Sequence, residues 1–497
     1  MNVIVICLDT FRADLIGPDA KMSGVATPNL DALASESVSF ERAYGEGQPT
    51  LQMRRAFFTG RRSFPWRYNY DRRGHWHHAP GWHKIPPEQD TLAEILVRRG
   101  YYTGLIADTY HMFKPTMNYT RGFCTYEFVR GQETDNWRGG TLSAIEAQLR
   151  KHTRGPLDSP SILRLAQYLW NQRGRQGEED YQCARVFRAA TRWLEDNADN
   201  APFFLWIDSF DLHEPWDPPT SYADRYYAYE GIDYIYPVNE GTTPEERERI
   251  VALYCGEVTF VDKWAGAFLN AVDELKLWED TVVVLTSDHG TQLLDHGRFG
   301  KGADELHPFN TQIPLYVRHP DGPRGRRVDA FVQSHDLAPT LLRLLDVPYA
   351  NVDGQDAWTL VTGERPSLRD LAGNGARASG TDADKMLRDH VVTGWAGFVA
   401  GNAGGRASVR DEEWNYVVSV HEEDPNPELY HLPSDPDEVR DVHDRHPEVV
   451  DRQRARLEAV VGGPIPAQLN EVCDPASPPM YHFLRSRLSG SAFPASD

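Results

Sequence analysis

The sequence predicts an α/β protein built on a doubly wound sheet, and three observations carry that expectation. Continuous apolar runs recur along the chain, each ends in a polar residue, and helical stretches separate them over about 350 residues. Val3 to Leu8 is the first run, and it ends in Asp9. A run that is apolar at every position suits a central strand covered on both faces, with the polar residue emerging at its carboxyl end. Phe203 to Ile207 ends the same way at Asp208, and Thr281 to Thr286 ends at Ser287, Asp288, His289 and Gly290. The helical stretches are Asp31 to Ser37, Thr91 to Arg99, Ala184 to Asn197 and Phe260 to Leu275. Ligands of a doubly wound sheet bind beyond the carboxyl ends of its strands. Asp9, Asp208, Asp288 and His289 are therefore predicted to converge on one crevice.

The later part of the chain reads differently. After the helix-like Leu337 to Leu345, residues from about Pro366 to Ala407 are rich in Gly, Ala, Asp and Arg and read as a linker or an insertion. Val409 to Val420 alternates as strands do, and a Pro/Asp turn region leads to a charged helix from Pro447 to Val460. The expected division is a large α/β domain over residues 1–370 and a smaller C-terminal α+β domain over 371–497. The Pro- and Ser-bearing tail from Asp474 is expected to be ordered only by packing on a neighbour.

Composition excludes several classes of function. The 497 residues exceed one ordinary domain, and 40% apolar content with 13 Trp, 22 Tyr and 20 Phe argues for a packed globular chain. Lys and Arg number 52 against 73 Asp and Glu, a net charge of −21 that repels polyanions, so nucleic acid is not an expected partner. Five widely spaced cysteines without a CxxC pair exclude a disulfide scaffold and a cysteine-built zinc site. The start, Met1 and Asn2 before Val3 to Leu8, lacks a cationic leader and the apolar length of a signal peptide or membrane span. A cytoplasmic protein without membrane contact is expected. A homo-oligomer is compatible with the chain, since the tail could cross to another subunit.

A single Asp at a strand end often does no more than cap a helix. Several together ask for a cation: hard divalent ions want carboxylate oxygens and borderline ones accept imidazole, so Asp9, Asp288 and His289 are predicted metal ligands. Gly290 fits a tight turn that presents the two side chains before it. From Arg54 to Lys84 the local charge reverses, with Arg54, Arg55, Arg61, Arg62, Arg67, Arg72, Arg73 and Lys84 against the one acid Asp71. Such a run calls for an anion or an acidic neighbour, although a solvated basic face would read the same way.

These residues belong to a longer series of motifs: Ala26 to Ala34 (ATPNLDALA), Thr91 to Glu94 (TLAE), Gly100 to Gly104 (GYYTG), Asp211 to Pro215 (DLHEP) and Thr286 to Gly290 (TSDHG). Asp295 to Gly297 (DHG) with Lys301, Asp336 to Leu342 (DLAPTLL), and Pro427 to Tyr430 (PELY) with Asp435 and Pro436 continue it. In kind and order the series resembles the sulfatase family of the alkaline phosphatase superfamily, over nearly the whole chain. The resemblance implies a mixed sheet of that type, a divalent metal ion (Ca, Mn, Zn or Mg) and a small anionic ester as substrate.

The departures from the family pattern decide the expected chemistry. Sulfatases carry a cysteine or serine, converted to formylglycine, at the head of a C/S-x-P-S-R-x4-T-G-R signature. The gapless match here runs from Thr50 through Arg54 to Thr59, Gly60 and Arg61, with Gln52 and Met53 in place of Pro and Ser. Thr50 thus stands at the nucleophile position, and no formylglycine is expected. Thr10 replaces the second carboxylate of the usual Asp-Asp pair. The G-K-W-H signature reads Ala107, Asp108, Thr109, Tyr110, with His111 one position further on, so a lysine that helps hold the anion is lost.

The roles implied are these. Asp9, Asp288 and His289 hold the metal with Thr50 as fourth group; Arg54 orients the nucleophile and neutralises oxyanion charge. Lys301 and His213 match positions that contact the anion, and His213 is a proton donor to the leaving group. Asp108, His111 and His296 stand next as residues that rebuild the lysine's contact with substrate or a second metal site. Trp66, Trp76, Trp82 and Trp216 suggest an apolar or aromatic leaving group, with plain packing as the alternative. The expected activity is hydrolysis of phosphate or phosphonate esters with Thr50 as nucleophile, since a hydroxyl beside a divalent cation needs no modification to attack phosphorus. A sulfatase working without formylglycine and a silent homologue that binds an anion or a partner chain are the competing readings.

Overall fold

The computed structural model describes residues 1–18, 20–22, 24–66, 81–114, 117–157, 160–365, 387–395, 405–420 and 426–467. Among them the first strands are β1 (Asn2–Leu8), β2 (Val38–Tyr44), β3 (Gly47–Gln48), β4 (Tyr102–Ala107), β5 (Thr125–Phe128), β6 (Phe203–Ser209) and β7 (Thr281–Thr286). There follow β8 (Gln292–Leu293), β9 (Phe299–Gly300), β10 (Leu315–Arg318), β11 (Arg327–Gln333), β12 (Val391–Trp395), β13 (Arg406–Arg410), β14 (Trp414–Ser419) and β15 (Glu428–His431).

The main sheet has eight strands in the spatial order β11-β2-β10-β7-β1-β6-β4-β5. β7, β1, β6, β4 and β5 run parallel, and β10 is antiparallel to both its neighbours, so the sheet is mixed. The three predicted apolar runs are its central strands. β1 is buried at all seven positions, and its side chains alternate between two cores. Val3, Val5 and Cys7 join the core that holds Phe57, Leu92 and Leu341, while Ile4, Ile6 and Leu8 join the one that holds Val186, Phe260 and Phe268. At ~1.5–3 kcal/mol for each fully buried Val, Leu or Ile, a strand covered on both faces anchors the sheet.

Register brings the strand ends together. Cys7 lies opposite Asp208 on one side and Thr286 on the other, so Asp9 and Asp288 each follow two residues later on neighbouring strands. The predicted helices are present with shifted ends. The first starts at Pro28 rather than Asp31, because Pro suits the first helical turn. The helix expected over Phe260 to Leu275 spans Pro244–Glu274. Its first turns carry Glu and Arg that break the apolar stripe, but the signal was there in Thr243 and Glu246, which form a capping box ahead of the apolar run.

A second sheet of order β15-β14-β13-β12-β3 follows from the strands expected over Val409 to Val420. Its edge strand β3 comes from residues 47 and 48, two positions before Thr50, and pairs parallel to β12. Gly394 N also donates to Glu46 O at 3.0 Å. The segment leading into Thr50 is thereby fixed by the C-terminal sheet. The charged helix is Pro447–Val461. Most of the linker from Pro366 and the tail from Asp474 lie outside the described residues. No described helix is long and apolar enough to cross a membrane.

Candidate active site

Three carboxylates, one guanidinium and one imidazole meet at the carboxyl ends of β1, β6 and β7, all fully buried. Arg54, on the helix Leu51–Thr59, lies at their centre. Its Nε and Nη2 donate to Asp208 at 3.2 and 2.9 Å, and Nη1 donates to Asp288 Oδ2 and stands 3.0 Å from Asp9 Oδ2. Asp288 Oδ1 accepts from the backbone N–H groups of Thr10 (3.0 Å) and His289 (2.8 Å). His289 Nε2 lies 3.6 Å from Asp288 Oδ2 and 3.9 Å from Asp9 Oδ1.

Charge is out of balance here. Burial, followed by repulsion from Asp288, pushes the Asp9 carboxyl well above its ordinary range. Burial works against Asp288 as well, yet Arg54 and the backbone N–H of Thr10 hold it well below that range. Burial pulls the His289 imidazole down to about 4, so it is neutral. Its Nδ1 bonds to Gly290 O at 2.9 Å, which makes Nδ1 the N–H and leaves Nε2 as a lone pair facing the two carboxylates. His289 Nε2 is buried without a hydrogen-bond partner, and Asp9 Oδ2 meets only as an ion pair the Arg54 Nη1 that Asp288 shares. An unpartnered imidazole nitrogen beside a carboxylate pair that one arginine, shared with Asp208, cannot neutralise fits a divalent cation. Asp9, Asp288 and His289 would hold it.

Thr50 occupies the position before the helix, where its carbonyl accepts from Arg54 N at 3.1 Å and Arg54 Nη1 at 3.4 Å. Its hydroxyl makes no hydrogen bond to a described residue. Its φ is +40°, and Thr10 on the opposite strand end has φ +59°. For β-branched residues this region is strained, and strain of this kind persists where surrounding packing imposes it, often at reactive sites. Thr10 takes up the place of the missing carboxylate as a neutral bridge: its Oγ1 donates to Asp9 Oδ1 at 2.7 Å and accepts from Lys301 Nζ at 3.0 Å. Lys301 also pairs with Glu214 Oε2 at 2.7 Å. Burial pushes Glu214 up, but Lys301 outweighs it and holds the carboxyl well below its usual range.

His213 stacks on Phe210, with ring centroids 4.3 Å apart, and its Nδ1 bonds to Glu214 O at 2.7 Å. Burial and then Lys301 pull this imidazole down to about 4. In the substrate-free site it is neutral, so it is not a ready proton donor at neutral pH. His335 is driven well below 6.5 by burial and by Arg62 and Arg388. Both rings bind a proton less tightly folded than unfolded, so stability is intact above pH ~6.5 and is lost as pH falls towards 4. At ~1.4 kcal/mol per unit, His213 alone accounts for about 3 kcal/mol across that window. Urea midpoints between pH 7 and 4 check this. His213→Gln is expected to flatten the profile by that amount, and an unchanged slope contradicts it.

The other suggested residues are not brought to this cluster. Asp108 is turned into the protein, accepting from Phe210 N (2.6 Å) and Gln132 Nε2 (3.0 Å); burial and Asp211 push its carboxyl well up, so it cannot replace a lysine. His111 sits among Trp82, Tyr110 and Phe210 with Lys114 Nζ 2.8 Å from its Nδ1. His296 packs on His307 and Phe309 and bonds to Asp437 O at 2.9 Å. Gly290 is not in a positive-φ turn; a Cβ there would lie 2.1 Å from Phe309 O, so close packing requires it. Trp66 and Trp216 are fully buried packing residues bonded to Gln52 and Leu212 O. Arg67, Arg72, Arg73 and Trp76 lie outside the described residues. The sequence reading assigned no role to Glu214, although it sits in the Asp211 to Pro215 motif, and did not find the two-pronged grip of Asp208 on Arg54. Thr109 and Trp206 Nε1 (3.0 Å) complete that grip by donating to Asp208.

A family model described as Sulfatase matches residues 1–347, a span that includes every residue of the cluster. An arylsulfatase of Clostridium perfringens (strain 13 / Type A) is 24% identical over 427 residues, covering 78% of this chain and 83% of the relative. The multifunctional alkaline phosphatase superfamily protein PehA of Trinickia caryophylli is 26% identical over 422 residues, covering 74% and 78%. The crystal structure of a phosphonate monoester hydrolase of Agrobacterium radiobacter superposes with a TM-score of 0.65 at 22% identity, covering 93% of this chain and 95% of that one. The chain belongs to the sulfatase family of ester hydrolases.

Proposed function

We propose that this enzyme hydrolyses phosphate or phosphonate esters, with a divalent cation and with the unmodified Thr50 hydroxyl as nucleophile. One observation supports the reading: Thr50, whose hydroxyl has no hydrogen bond among the described residues, is tied by its carbonyl to Arg54, which also pairs with Asp9 and Asp288 beside the unpartnered His289 Nε2. A cation held by Asp9, Asp288 and His289 would lower the pKa of an adjacent hydroxyl and offset the charge of the ester.

Thr50 Oγ1 attacks phosphorus, the bond from phosphorus to the ester oxygen breaks, and a phosphothreonine forms. The Thr50 proton passes to His213 Nε2, whose affinity for it rises when an anion binds beside it, and then to the departing oxygen. Lys301 offsets charge on the transferring group. Water then cleaves the bond between phosphorus and Thr50 Oγ1 and restores the hydroxyl. A sulfate ester would leave a sulfothreonine, which has no second hydroxyl on its carbon to expel sulfate as a formylglycine hydrate does.

Structures described as phosphonate monoester hydrolases, from Agrobacterium radiobacter and Silicibacter pomeroyi, are among those with this fold, which puts such esters first in the assay. Protein stripped of metal and reloaded with Mn, Zn, Mg or Ca is expected to turn over aryl phosphate or phosphonate esters faster than aryl sulfates, and to stop in chelator. Turnover of sulfates alone sinks the phosphoester reading. Full activity in chelator sinks the metal.

A further inference from the structure

We propose a second metal site, separate from the catalytic cluster, in which His296, Glu305 and His307 bind a divalent cation of the zinc type. One potential donor atom from each of the three lies within 4.8 Å of the others. Each imidazole has one nitrogen already engaged by an acceptor oxygen. His307 Nδ1 meets Glu438 Oε2 at 2.8 Å, and His296 Nε2 meets Asp437 O at 2.9 Å. In the neutral ring the engaged nitrogen carries the proton, which leaves His307 Nε2 and His296 Nδ1 as lone pairs. A carboxylate or carbonyl behind each histidine is the arrangement that fixes ring orientation and raises basicity in metal sites.

The backing groups are themselves fixed. Glu438 is buried, accepts from Asn415 Nδ2 at 2.7 Å and pairs with Arg410. Glu305 is buried, and its Oε1 pairs with Arg298 Nε at 3.0 Å, which leaves Oε2 for a ligand. Two imidazole nitrogens and one carboxylate oxygen make the donor set of zinc sites that keep a fourth position open. His296 is only partly buried, which provides an entry path, while Phe309 and Tyr430 pack against the His307 ring.

The placement gives such a cation a structural consequence. Lys301 lies between His296 and Glu305 in the chain, on the loop that delivers it to Glu214 and Thr10. A cation bound to both ends of that loop, and through the backing groups to residues 437 and 438, would tie the lysine-bearing loop to the segment after β15. The binding itself does not depend on the ester chemistry proposed above.

Full-length protein freed of metal and titrated with Co(II), then with Zn(II), tests the site by stoichiometry and visible absorption. Two equivalents are expected in the parent protein. Asp288→Asn is expected to keep one equivalent with the strong visible bands of four-coordinate Co(II). Glu305→Gln, His296→Ala and His307→Ala are each expected to lose that equivalent and the rise in Tm it brings. Should His307→Ala fail to fold, the isosteric Glu305→Gln and the partly exposed His296→Ala still decide the matter. Uptake in those two equal to the parent, or no Co(II) bound by Asp288→Asn, overturns the proposal.

Discussion

Thr50→Ala is expected to lower kcat/KM for the best phosphate or phosphonate ester by about 10,000-fold or more, the scale on which removal of a covalent nucleophile falls. Thr50→Ser is expected to stay within about tenfold of the parent, because it keeps the hydroxyl. The pair separates two mechanisms that leave the same products. If water attacks phosphorus directly, alanine at this position removes no reacting atom, and activity survives at a substantial level. If the hydroxyl attacks, only serine rescues, and rapid quenching of the parent with substrate traps a phosphoryl group on the peptide that carries Thr50. The strained backbone sharpens the comparison. A φ of +40° is harder for a β-branched residue than for alanine or serine, so both variants are expected to be at least as stable as the parent. Loss of activity in Thr50→Ala with gain or retention of Tm therefore points to chemistry and not to unfolding. An alanine variant that keeps a tenth of the parent rate sinks the covalent route.

The parts of this site that were legible in the sequence are those set by single strands. A run buried on both faces has one place in a sheet, the middle, and its terminal acid has one place to go. Asp9, Asp288 and His289 were readable for that reason, as was the doubly wound class. What could not be read depends on pairs far apart in the chain. Asp208 grips Arg54 across 154 positions, and Lys301 reaches Thr10 across 291. Neither contact has a local pattern, so a strand-end acid already noticed acquired its partner only in three dimensions. Asp108 and His296 mark the opposite case. Both stand near signature motifs, yet Asp108 is consumed by the backbone of Phe210, and His296 belongs to a different cluster altogether. Proximity in sequence to a motif says little about which way a side chain turns at the end of a strand.

Arg54→Ala is expected to destabilise the protein by about 3–5 kcal/mol, as removal of one partner from a buried charge network does, and to abolish measurable turnover. Among the described residues the guanidinium is the one cation bonded to both Asp208 and Asp288, and each of those carboxylates is fully buried. Without it they must either take protons or recruit another charge. Two observations then distinguish this account from loss of simple packing. The stability gap between variant and parent is expected to narrow as pH falls, because the stranded carboxylates become neutral, and to narrow at pH 7 on adding Mn or Zn, which supplies charge to Asp9 and Asp288. Arg54→Lys keeps the charge but presents no planar fork, so it cannot hold Asp208 through two N–H groups while reaching Asp288. Its expected stability lies between parent and alanine variant, and its activity stays far below the parent because Thr50 loses the guanidinium that bonds its carbonyl. A gap that is constant from pH 7 to 5 and blind to metal would mean that these carboxylates are already protonated in the parent. The charge imbalance that argues for a divalent cation would then not exist.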